Sequence, residues 1–78
     1  MLQFKDKRLV KFGEHIVALR KKHNLQVNDV VKNCSINSKD LEAIEKGSKN
    51  FGFTTLLELA KGLGVKPADL LNLDLIDI

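Results

Sequence analysis

Apolar residues in this chain recur at steps of three and four, and that period restricts its fold more than any other feature. Leu9, Phe12, Ile16 and Leu19 fall on one face of a helix running from about 6 to 23. Asn24 follows, and Asn tolerates the left-handed backbone that closes many helices. A second short helix fits 27–33 with Val30 and Val31 inward, and "CSIN" after it is a tight turn. Asn37 is a good N-cap for a third helix, since its side-chain oxygen can accept from a free first-turn amide. Asp40, three residues on, puts a carboxylate where the helix dipole favours one. Leu41 and Ile44 form the apolar face of this helix, and Gly47 ends it. "SKNFGF" reads as a loop. A fourth helix fits 53–63 with Leu56, Leu59, Ala60 and Leu63 inward, and Pro67 suits the first position of a fifth, "PADLLN". The expected fold is all-α, with five helices and short connections. The second and third helices and the turn between them, at about 27–46, have the outline of a helix-turn-helix.

A chain of 78 residues makes one small domain spanning 1–78, and a domain of this size buries only about 60% of its unfolded surface. Its four aromatic residues are all Phe, so aliphatic side chains must build the core. The one cysteine cannot form an internal disulfide, which suits a reducing cytosol. No apolar run approaches the roughly 18 residues of a membrane span, and "MLQFKDKRLV" lacks the apolar middle of a signal peptide. The expected location is the cytoplasm, with no membrane partner.

The net charge of +3 is unevenly spread. Residues 1–23 hold seven Lys or Arg against two acids, residues 24–50 are balanced, and residues 51–78 hold two against four. A basic front with an acidic tail suggests an anionic partner near the N-terminal half, where Arg8, Lys11, His15 and Lys22 share a helical stripe. Charge alone is equally compatible with a solvated helix face.

The segments "FGEHIVALRKKHNL", "INSKDLEAIEKG" and "TTLLELAKGLGVKPADLLNL", in this order and spacing, carry a resemblance. The chain resembles the Cro/phage-repressor-like, or Xre, family of helix-turn-helix proteins over roughly residues 12 to 73. The resemblance implies a compact five-helix, lambda-repressor-like domain. It also implies a transcriptional regulator that binds double-stranded DNA as a homodimer, with its third helix in the major groove. Arg20 and Glu45 match the family positions that pair and tie the first helix to the third. Arg can hold a carboxylate through two hydrogen bonds.

Family positions that meet bases or phosphates correspond to Asn37, Ser38, Lys39, Glu42 and Ala43. Lys39 can donate to guanine, Glu42 can accept from the cytosine amino group, and Ala43 can touch a thymine methyl. Ser38 and Asn37 can donate to phosphate or base. Lys46, Lys49 and Asn50 follow, in a position to grip phosphate. The family commonly has Ser-Gln at the start of the second helix, where this chain has Gln26-Val27. Val27 cannot make the polar contact, so Gln26 is the candidate substitute. The loop proline frequent in the family is replaced by Phe51.

Enzymatic signals are lacking. His15 and His23 lie eight residues apart with no other ligand at metal spacing. Cys34 reads as a small buried hydrophobe, no nucleophile constellation is present, and "KGLG" lacks the rest of a phosphate loop. No metal, cofactor or small-molecule substrate is expected. In the final "LLNLDLIDI", Leu71, Leu73 and Leu75 alternate with Asn72 and Asp74, while Leu71 and Leu75 also suit a helix, so its conformation stays open. Its apolar surface calls for cover, either by the same segment of a second chain or by folding back beside Phe4 and helix one. The alternative to DNA binding is a helix-turn-helix fold used for protein contacts, with Val27, Glu42 and Ala43 marking the surface.

Overall fold

The computed structural model describes residues 6–74. Within them lie helices α1 (Lys7–Lys22), α2 (Val27–Val31), α3 (Ser38–Glu45), α4 (Phe53–Leu63) and α5 (Pro67–Leu70). Each begins and ends for an identifiable local reason. The Asp6 carboxylate caps α1 by accepting from the Arg8 amide at 2.8 Å, and the Arg8 guanidinium grips the same carboxylate through both its oxygens. Those bonds hold the Asp6 carboxyl down at about 2, well below its ordinary value. At the other end Arg20, Lys21 and Lys22 complement the dipole. Asn24 turns left-handed at φ 56°, and the Leu25 amide reaches back to the Arg20 carbonyl at 2.9 Å.

The second helix is shorter than its sequence period suggests, closing at Val31 rather than 33. The Asn33 side chain donates to the Asp29 carbonyl at 3.0 Å, offering the backbone a partner outside the helical pattern. Asn37 caps α3, its Oδ1 accepting from the Asp40 amide at 2.8 Å. Gly47 at φ 71° ends that helix, with the Ser48 amide bonded to the Ala43 carbonyl at 3.0 Å. Gly64 closes α4 at φ 70°. Pro67 opens α5, which stops at Leu70 instead of continuing to Asn72. Its work is done once Leu70 is fully buried.

One core unites the described helices: Phe12 and Ile16 from α1, Val30 from α2, Leu41 and Ile44 from α3, Leu56, Leu59, Ala60 and Leu63 from α4, and Leu70 from α5. Burying each of these side chains other than Ala60 stabilises the fold by roughly 1.5–3 kcal/mol. Ile36, within the interhelical turn, is also buried, so the turn is fastened to the core as well as spanning it. Cys34 is half-buried rather than fully buried. It packs against this core, with Sγ 3.4 Å from the Val30 carbonyl oxygen. The Phe51 ring packs on Phe12 with centroids 5.1 Å apart, which fixes the α3–α4 loop to helix one.

The start of the C-terminal tail does not behave as an alternating strip. Leu71 is half-exposed, whereas Leu73 packs against the domain's own core. Phe4 and the tail from Leu75 onward lie outside the described residues. His15, one of the stripe on α1, is occupied structurally: its Nε2 lies 2.8 Å from the Asp69 carbonyl oxygen and ties α1 to α5. No helix of the described residues is long and apolar enough to cross a membrane.

Candidate nucleic-acid interface

The surface that faces away from the core on α3 is built by its period. Leu41 and Ile44 point inward and are buried. Ser38, Lys39 and Glu42 are exposed, as is the cap Asn37, and Ala43 is half-buried beside them. A strip one helix wide therefore presents an amide, a hydroxyl, an ammonium, a carboxylate and a methyl. Those are the groups that can read base edges in a major groove. Gln26 is exposed at the cap of α2, its backbone N–H donating to the Asp29 carboxylate at 2.8 Å. Lys46, Lys49 and Asn50 are exposed beyond the other end of α3. The Asn50 side chain accepts from the Phe51 amide at 2.8 Å, which shapes the loop.

The acids of α3 have different partners. Glu45 receives the Arg20 guanidinium through two bonds, Nε to Oε2 at 2.8 Å and Nη2 to Oε1 at 3.2 Å. Arg20 also donates from Nη1 to the Leu25 carbonyl at 3.1 Å. These side chains keep only 15% and 9% of their exposure, so the pair joins the end of α1, the entry to α2 and the end of α3 in a partly dry setting. Asp40 meets Lys49 at 2.8 Å in an exposed pair. Glu42 forms no ion pair among the described residues and remains the acid directed outward.

Two features of this site carry no local sequence signal. Gly13 lets α1 approach α3 backbone to backbone. A Cβ there would lie 2.5 Å from the Ile44 carbonyl oxygen and collide with the Glu45 carbonyl. Glu58 on α4 reaches across the chain, its carboxylate accepting from the Ser35 amide at 2.8 Å. That bond holds its carboxyl below the usual glutamate range and pins the turn that presents α3. Val27 is half-buried and packs against the core. Its apolar character serves the inside of the domain.

Among the described residues no group of three or more His, Cys, Asp or Glu is arranged to hold a metal ion.

A family model described as a helix-turn-helix domain matches residues 13–76. No curated protein matches the chain by sequence. Among solved structures, the restriction-modification controller protein C.AhdI from Aeromonas hydrophila is 26% identical, with 83% of this chain and 98% of that one covered and a TM-score of 0.78. The controller protein C.Esp1396I, solved as a tetramer with its natural 35 base-pair operator, is 21% identical, with 85% and 87% covered and a TM-score of 0.78. The clp gene regulator ClgR from C. glutamicum is 19% identical, with 82% and 83% covered and a TM-score of 0.74. With the matched region spanning nearly all of α1 through α5, the chain belongs to the helix-turn-helix domain family, in its Cro/phage-repressor-like (Xre) form.

Proposed function

We propose that this chain is a sequence-specific, double-stranded DNA-binding transcriptional regulator, a binding protein rather than an enzyme. It works as one domain in the cytoplasm and as a homodimer. The observation that carries this reading is the outward strip of α3, on which Asn37, Ser38, Lys39 and Glu42 are exposed together. The acid nearest that strip's far end, Glu45, is taken up by Arg20. On this reading Lys39 donates to guanine, Glu42 accepts from cytosine and Ala43 touches a thymine methyl. Asn37, Ser38, Gln26, Lys46, Lys49 and Asn50 position the helix through phosphate. The solved operator complex of C.Esp1396I supports it by analogy of fold. Use of the fold for protein contacts instead is disfavoured by Val27, whose apolar side chain packs against the core rather than marking an outer surface.

Titration with a random pool of duplex DNA at 50 and 200 mM salt tests the reading. A protein contacting several phosphates loses orders of magnitude in affinity over that range, and no measurable binding at the lower salt would sink it. Selection from the same pool separates the roles of two lysines. Lys39→Ala is expected to change the recovered sequence as well as the affinity, whereas Lys49→Ala weakens binding evenly. Identical selected motifs from Lys39→Ala and the parent would remove Lys39 from base reading.

The dimer rests on an apolar surface. Phe53 and Leu71 are 70% and 53% exposed and border a groove of about 380 Å³ that also touches Leu9, Phe51 and Leu56. Covering such a patch with a second copy removes it from water. It would also allow two α3 helices to meet half-sites about one turn, roughly 34 Å, apart. Light scattering should give a dimer mass for the parent and a monomer mass for Phe53→Ser with Leu71→Lys. A parent that stays monomeric at high micromolar concentration refutes the dimer.

A further inference from the structure

We propose that Asp40 is an intramolecular counterion for Lys49, lowering the chain's affinity for DNA of any sequence by competing with phosphate for the same ammonium. The proposal rests on the DNA-binding reading above and concerns a residue that reading leaves without a role in contact. Lys49 Nζ lies 2.8 Å from Asp40 Oδ1, and both side chains are close to half-exposed, at 45% and 41%. Neither end of the pair is adrift. The Asp40 amide is bound by the Asn37 cap, and its carboxylate sits in the first turn of α3, where the dipole favours it. Lys49 belongs to a loop whose Phe51 ring is packed on Phe12. The loop therefore returns the ammonium to the acid whenever DNA is absent.

Binding opens the pair. Lys49 can approach a phosphate only by leaving Asp40, and Asp40 is then left bare near a polyanion. The net gain from that contact is reduced by the strength of the pair that was broken. Exposed pairs of this kind correspond to about a two- to fivefold change in an equilibrium constant. A freed carboxylate also takes up a cation from solution. This cancels part of the counterion release that normally makes a phosphate contact salt-sensitive. The pair thus weakens charge-driven association, while the base-reading groups Lys39 and Glu42 are untouched.

The test is a double-mutant cycle on sonicated genomic duplex DNA, with the parent, Asp40→Asn, Lys49→Ala and the double variant, each first matched by circular dichroism and melting. Removing a negative charge favours DNA binding in any background, so the coupling is what matters. Asp40→Asn should tighten binding in the parent by about two- to fivefold more than it does in Lys49→Ala. It should also steepen the salt dependence of the parent by up to about 0.9 in log–log slope. Equal gains in the two backgrounds, or no gain at all, overturn the counterion role while leaving DNA binding intact. A parent that fails to bind duplex DNA at low salt overturns the functional reading itself and this proposal with it.

Discussion

Replacing Arg20 with Met should lower the melting temperature of the domain by roughly 10–25 °C, the shift expected when about 3 kcal/mol is lost from a fold of this size. The figure follows from what is left behind. Glu45 would keep its place at 9% exposure with both guanidinium bonds gone, and the Leu25 carbonyl would lose its donor. Removing one partner of a buried pair strands the other charge, typically at about 3–5 kcal/mol. The residual exposure of both side chains places this case toward the lower end. Replacing both partners with apolar residues of similar volume should recover much of the loss, because no charge is then stranded. Thermal melting of the two variants decides the matter, and a parent-like transition for Arg20→Met would show that the pair does not hold the helices together.

Gly13→Ala should be comparably damaging, although it adds one methyl group to a helix. In an open helical position this change is favourable by about 0.5–1 kcal/mol. Here the new Cβ meets the Ile44 and Glu45 carbonyls, which are backbone atoms and cannot swing aside. Either α1 and α3 separate or the helices deform, and overpacking of this kind costs about 1–3 kcal/mol and occasionally more. Gly52→Ala is the control, since a Cβ there has open space within 4 Å. We expect Gly13→Ala to melt well below the parent and to lose DNA affinity beyond what its folded fraction explains. Gly52→Ala replaces the N-cap of α4, where Ala is less favourable than Gly by about 0.5–1 kcal/mol, so it should melt only a few degrees below the parent. A Gly13→Ala protein as stable as the parent would contradict the close approach of the two backbones.

The legible part of this fold is the local part. Caps such as Asn37 and the left-handed Asn24 act through residues two to four positions away, so composition and order reveal them. Helical faces such as Leu41 with Ile44 are readable for the same reason. Boundaries were less so: α2 and α5 stop two residues short of the 27–33 and 67–72 expected for them. There the chain turns once its key side chain, Val30 or Leu70, is buried, and a period cannot show when burial is complete. Contacts between distant segments left no trace. Gly13 looks like any helical glycine until the Ile44 carbonyl is placed against it. Ile36 reads as part of a turn until the turn is seen to fold inward. The tie from Glu58 to Ser35 and the pairing of Asp40 with Lys49 depend on three-dimensional proximity between side chains of ordinary type. Arg20 and Glu45 were the exception, because the resemblance to known helix-turn-helix proteins singled them out.

The segment that carries α3 is clamped at both ends. Its C-terminal end is gripped by Arg20 and pressed against Gly13, and the turn leading into it is held by buried Ile36 and by the bond from Ser35 to Glu58. An eight-residue helix puts its ends roughly 10 Å apart, so slack at one clamp is magnified at the other. A tilt of about 10° about Glu45 would carry Ser38 by about 2 Å, enough to take it out of the 2.7–3.2 Å range of a hydrogen bond. On the proposed DNA-binding reading, fidelity then depends on stiffness at clamps whose residues are not assigned to any base. Substitutions at either clamp are therefore expected to blur sequence preference before they abolish binding, as a loose hinge blurs a pointer without shortening it.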